Sequence, residues 1–216
     1  MREGVKHWTR AQDLSAALDD LLTHSAFKNH LDTSRVMAAG FSYGGWTALS
    51  LGGMTSNHQG FVDACKAYGE RLTACDLLMS ERVNLPGVDK TQWEASYRDN
   101  RITHVVAIDP GLVWGLTPEN GSNVIDNVLL IGLGTGDDRM LATDFDTSGL
   151  LQILPDVGVE RLVPASHFTA MPLCKPGGEE ILELENDDPV CTDPPGTDRA
   201  QVHSDIIKVI TGQLGL

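Results

Sequence analysis

The sequence predicts an α/β fold, a mainly parallel sheet with helices on both faces. Three observations predict it. Short apolar runs have the length and composition of buried strands, stretches of helical character separate them, and the first run ends in a glycine-rich turn that leads straight into a helix. A chain of 216 residues with 41% hydrophobic and 21% charged residues can bury a sizeable core as a single domain spanning 1–216.

Taken in order, Leu14, Ala17, Leu18, Leu21 and Leu22 recur at the spacing of a one-sided helix over Thr9 to Thr23, with Thr9 and Gln12 placed to form its capping box. Arg35 to Phe41 reads as a buried strand that stops at Ser42-Tyr43-Gly44-Gly45, and Trp46 to Leu51 reads as the helix after it. Residues 54–103 lack any strand pattern and read as a helical, cap-like insertion, with short helices at Phe61 to Leu72 and Asp89 to Tyr97. His104 to Ile108 and Val128 to Leu133 are further buried strands, ending at Asp109-Pro110-Gly111 and at the loop Gly134 to Asp138. A helix around Thr147 to Leu154 leads to a fourth strand, Val159 to Val163, and then to Pro164-Ala165-Ser166-His167-Phe168. Pro172 to Asp198 reads as an acidic loop, and Ala200 to Leu214 as a closing helix with Val202, Ile206, Val209 and Ile210 inward.

Charge narrows the partners. With 16 basic against 30 acidic residues the formal net charge is −14, a field that repels phosphate backbones and anionic membrane surfaces. No apolar run approaches the roughly 20 residues that a membrane-spanning helix needs. Cys65 with Cys75 and Cys174 with Cys191 read as two local disulfides, the alternative being four reduced thiols in a cytosolic protein. Glu179 to Asp188 lacks the spacing and the glycine of a calcium loop, so no metal or other cofactor is expected.

Gly40-Phe41-Ser42-Tyr43-Gly44 fits G-x-S-x-G, a turn that presents a serine between strand and helix, and glycines two residues either side let the two backbones approach. Ser42 is the candidate nucleophile. A serine hydroxyl needs a base to take its proton, and His167, alone among seven histidines, follows the last strand, where the order serine, acid, histidine puts the base. For the acid the residues leave Asp109 open against Asp137 and Asp138. An aspartate at the very end of a buried strand is positioned by the sheet, which favours Asp109.

The order of Ala38-Ala39-Gly40-Phe41-Ser42-Tyr43-Gly44-Gly45, Val105-Val106-Ala107-Ile108-Asp109-Pro110 and Ala165-Ser166-His167-Phe168 resembles the α/β-hydrolases of the dienelactone hydrolase and platelet-activating factor acetylhydrolase group. The resemblance implies an α/β-hydrolase three-layer sandwich. In the acetylhydrolases the acid sits in an Ala-Leu-Asp segment that Ala107-Ile108-Asp109 matches, whereas cutinase-like relatives place it one strand later, at Asp137 or Asp138 here. True dienelactone hydrolases use cysteine; Ser42 departs from them and points to ester hydrolysis. In that fold several strands precede the nucleophile strand, so the chain reads as the portion of a longer hydrolase from the nucleophile strand onward, lacking on the order of 100 residues. Tyr43 supplies one oxyanion N–H, and the second donor is expected outside the chain, a loss of roughly 10²- to 10³-fold in kcat.

These readings converge on a serine carboxylic-ester hydrolase acting on small-molecule, short-chain or lipid-like esters, exported if the cysteines pair and cytoplasmic if they are reduced. Phe61, Leu72, Leu77, Leu78, Met79, Trp93 and Trp114 are candidates for an acyl pocket. The rival readings are an amidase or peptidase with the same triad and an inactive remnant that serves as a binding module. An apolar nucleophile strand left at a sheet edge, with neither Lys nor Pro to guard it, predicts self-association.

Overall fold

Four apolar strands line up in chain order as an all-parallel sheet in this computed structural model, which describes residues 4–216. They are β1 (Met37–Phe41), β2 (His104–Ile108), β3 (Val128–Leu133) and β4 (Gly158–Leu162), in register Gly40 to Ala107, Ala107 to Leu130 and Leu130 to Val159. The helices are α1 (His7–Thr23), α2 (Tyr43–Leu51), α3 (His58–Tyr68), α4 (Cys75–Met79), α5 (Lys90–Glu94), α6 (Pro118–Gly121), α7 (Leu150–Ile153), α8 (Gly178–Glu185) and α9 (Arg199–Gln213).

Alternation along β2 and β3 divides the core in two. Val105, Ala107, Val128 and Leu130 face the larger core, built with Trp46 and Leu49 of α2, Trp8 of α1 and Phe61, Leu72 and Trp93 of the segment between α2 and β2. Val106, Ile108, Leu129, Ile131 and Leu133 face the smaller one, closed by Val202 and Ile206 of α9. That arrangement is an α/β sandwich of three layers. Among the described residues no helix is long and apolar enough to cross a membrane.

Several sequence expectations shift. α1 begins at His7, so Thr9 falls within its first turn; its hydroxyl donates to the Lys6 carbonyl (2.9 Å), and the Thr9–Gln12 box does not form. The helix is held by His7, Trp8 and Ala11, whereas Leu14 and Leu21 of the expected inward stripe are 51% and 44% exposed. The cause lies in the sheet: β1 is its outer strand, so the far half of α1 runs past the edge and lines a groove with Val36 to Ala39. The acidic loop after Pro172 contains α8, which buries none of its residues. β4 is mostly exposed because it forms the opposite edge.

Both expected cysteine pairs are disulfides, Cys65–Cys75 and Cys174–Cys191. On the loop-entropy account each contributes about 3 kcal/mol to stability.

His7 fastens the start of α1 to the segment before β2. Its Nε2–H donates to the Trp93 carbonyl (3.1 Å) and its Nδ1 accepts from the Trp46 indole (3.2 Å), so the neutral imidazole satisfies both neighbours. Burial holds its pKa down at about 4, against an ordinary 6.5, although the Trp93 hydrogen bond pulls the other way. The unfolded chain therefore takes up this proton first as pH falls. The contribution is intact above pH 6.5 and is lost on the way down to about pH 4, a loss on the order of 3 kcal/mol. Calorimetry at pH 7 and pH 5 is expected to show a lower Tm at pH 5, and a smaller difference in His7→Gln.

Candidate active site

The carboxyl ends of β1 and β2 carry two strained residues side by side. Ser42 has φ 54° and ψ −118°, and Asp109 has φ 44°, both in a region that side chains other than glycine rarely adopt. Ladder-like hydrogen bonds continue past the strands and hold them there. Ser42 N–H donates to the Ile108 carbonyl (2.8 Å), Gly111 N–H to the Ser42 carbonyl (3.0 Å), and Asp109 N–H to the Ile131 carbonyl (2.8 Å).

Only part of the expected glycine logic holds. A Cβ at Gly40 would fall onto the Gly44 carbonyl, and one at Gly45 would press on Pro110 and Ile108 at 3.1 and 3.2 Å. Gly44 has open space around the same position. The residues that let strand, turn and helix approach are therefore Gly40 and Gly45.

His167 opens a short 3₁₀ turn (His167–Ala170) beyond β4 and joins the two strained residues. Its Nε2 lies 3.1 Å from Ser42 Oγ and its Nδ1 2.9 Å from Asp109 Oδ2. Nδ1–H donating to Asp109 leaves Nε2 free to accept the serine proton. The turn is braced from behind: Thr169 donates to Asp193 (2.7 Å), Arg199 donates to both Asp193 oxygens (2.8 and 3.0 Å), and His203 donates to the Thr169 carbonyl (2.8 Å).

Asp109 is fully buried and accepts four partners. Besides His167 these are the Leu133 N–H (2.9 Å), the Thr143 hydroxyl (3.2 Å) and the Arg139 guanidinium. Arg139 also donates to the carbonyls of Leu133 (3.1 Å) and Thr143 (2.7 Å) and lies over the Phe145 ring. Sequence reasoning missed Arg139 and Thr143. The available signal was a single cation following Asp137-Asp138, within reach of a buried strand-end aspartate.

Asp137 and Asp138 lie in an exposed 3₁₀ turn (Gly136–Asp138) and make no hydrogen bond to His167. Tyr43 begins α2, where its N–H follows Ser42 directly; its phenol donates to the Gly4 carbonyl (2.9 Å), and burial pushes the phenol pKa up. A cavity of about 450 Å³ opens beside Ser42 and His167. Of the candidates, Phe61, Leu72, Leu77, Leu78, Trp93 and Trp114 line it, Phe61, Leu72, Trp93 and Trp114 being core residues as well; Met79 does not, and Gly4, Val5, Met140 and Phe168 join them. No group of His, Cys, Asp and Glu among the described residues could hold a metal ion. Comparison with protein-family models, with curated proteins and with solved structures finds no match to this chain.

The packing at the turn separates its two glycines. Thermal melts are expected to show Gly40→Ala strongly destabilised or unfolded, because backbone must move, and Gly44→Ala close to the parent.

Proposed function

We propose that the chain is a serine carboxylic-ester hydrolase of the α/β-hydrolase type. The observation that carries this reading is the hydrogen-bonded series from Ser42 through His167 to Asp109, at 3.1 and 2.9 Å, with the serine held on a strained turn between strand and helix. Ser42 Oγ attacks the acyl carbon as His167 Nε2 takes its proton. The carbonyl oxygen becomes an oxyanion, for which the Tyr43 N–H is the donor this chain supplies. On collapse the bond to the alcohol oxygen breaks and the alcohol leaves with the proton from His167. Water, deprotonated by the same nitrogen, then adds to the acyl-enzyme; the acid departs and Ser42 regains its proton. Asp109 holds the imidazole in the required tautomer and balances the imidazolium.

Two disulfides fit an oxidising compartment, and we assign the protein to the periplasm or the cell exterior on that ground. The outer edge of β1 bears no strand among the described residues, and a second copy pairing along it is the self-association this reading includes. Size-exclusion chromatography with light scattering is expected to report a dimer or larger species; a monodisperse monomer would remove that part.

The function is tested by labelling and mutation. A fluorophosphonate probe is expected to modify Ser42, and Ser42→Ala to abolish both labelling and hydrolysis of p-nitrophenyl acetate. Asp109→Asn is expected to lower kcat by about 10⁴-fold through the wrong imidazole tautomer, with far smaller losses in Asp137→Asn and Asp138→Asn. Labelling that survives Ser42→Ala would refute the assignment, an amide substrate preferred over the ester would favour the amidase reading, and a folded chain that neither labels nor turns over would favour a binding module.

A further inference from the structure

Two cavities meet at His167. The first, about 450 Å³, is apolar: its lining holds no Lys or Arg, and Asp188 is its one carboxylate. One wall is formed by Leu72 to Cys75, Leu77 and Leu78, tied to α3 by the Cys65–Cys75 disulfide. The second, about 460 Å³, is more open and of mixed lining, with Asp137, Asp138, Ser166, Thr192 and Asp193 around it beside Leu141, Pro189 and Pro194. Its one cation, Arg139, is committed to Asp109. His167, Phe168, Met140 and Thr73 line both.

Ser42 lines the first cavity but not the second, and the alcohol oxygen takes its proton from His167, which lines both, so the alcohol is assigned to the second cavity, where Asp137, Asp138 and Asp193 stand. The acyl group is left the apolar cavity. A methylene fills about the liquid volume of a water molecule, roughly 30 Å³, so chains of eight and of twelve carbons take roughly 240 and roughly 360 Å³, and both fit the cavity with room for the reacting carbonyl. Resting on the triad reading above, we propose that this site cleaves uncharged esters of medium-length apolar acids with polar alcohols. The disulfide-tied wall packs against the acyl chain, and Asp137 and Asp138 exclude anionic alcohols.

Three arms test it on the purified chain. With p-nitrophenyl esters from acetate to dodecanoate, kcat/KM is expected to rise by up to about fourfold per methylene along the series; a flat series, or a rise that appears instead with alkyl acetates, overturns the acyl assignment. Leu78→Trp and the double variant Cys65→Ser/Cys75→Ser are each expected to cut the octanoate-to-acetate ratio at least tenfold, and an unchanged ratio in Leu78→Trp overturns the role of the wall. At low salt, monooctanoylglycerol is expected to be cleaved at least tenfold faster than its glycerol phosphate counterpart, with the gap narrowed by Asp137→Asn/Asp138→Asn; equal rates overturn the exclusion. Fluorophosphonate labelling of Ser42 separates the failures. Labelling with a flat chain-length profile refutes the specificity and leaves the triad, whereas no labelling refutes both.

Discussion

A carboxylate with no exposed surface is the constraint around which this end of the molecule is organised. Burying an unpaired charge costs several kcal/mol even after relaxation, so Asp109 can exist only where partners surround it. Its partners come from the end of β3, the loop that follows, and the turn beyond β4. One side chain thus fastens three successive segments of the chain to the carboxyl edge of the sheet. His167 is oriented as one member of that set, and the orientation is inseparable from the folding of the loop between Leu133 and Thr143.

Strain and its compensation lie at the same edge. Ser42 and Asp109 each leave their strand in a backbone conformation that costs about 1–3 kcal/mol. Each is also gripped by the neighbouring strand through backbone hydrogen bonds that extend the parallel ladder by one residue. The sheet therefore delivers two side chains out of its plane next to each other, and the absence of a Cβ at Gly40 and Gly45 allows the backbones to close behind them. A short strand with small residues, unremarkable for stability, is what the position of Ser42 demands.

Strand positions were readable in the chain because apolar runs bounded by turns have few other uses; β2 and β3 fall on the residues where the pattern puts them. Ser42 and His167 were readable because a strand-ending serine and a histidine after the last strand have to meet at one edge of a parallel sheet; the acid was readable only as Asp109 favoured over Asp137 and Asp138, which follow another strand to the same edge. Arg139 was not, since a cation in a polar loop looks the same whether it meets water or a buried carboxylate. The α1 stripe misled for a related reason. Periodicity reports which face of a helix is apolar, but the width of the sheet beneath it decides how much of that face is covered, and β1 is the last strand.

The segment after His167 has a topology of its own. Cys174 and Cys191 close a covalent ring that contains α8, and the chain leaving it is clamped at once by Arg199 through Asp193 and the carbonyls of Pro172 and Val190. The ring is thus fixed at its ends by the disulfide and by Arg199, and within it Asp188 lines the cavity beside His167 while α8 stands out in solvent. The exposed tip of α8, where Leu184 is 87% exposed, is accordingly a place where extra sequence, an epitope or an attachment point can be carried by this molecule at little cost to its fold.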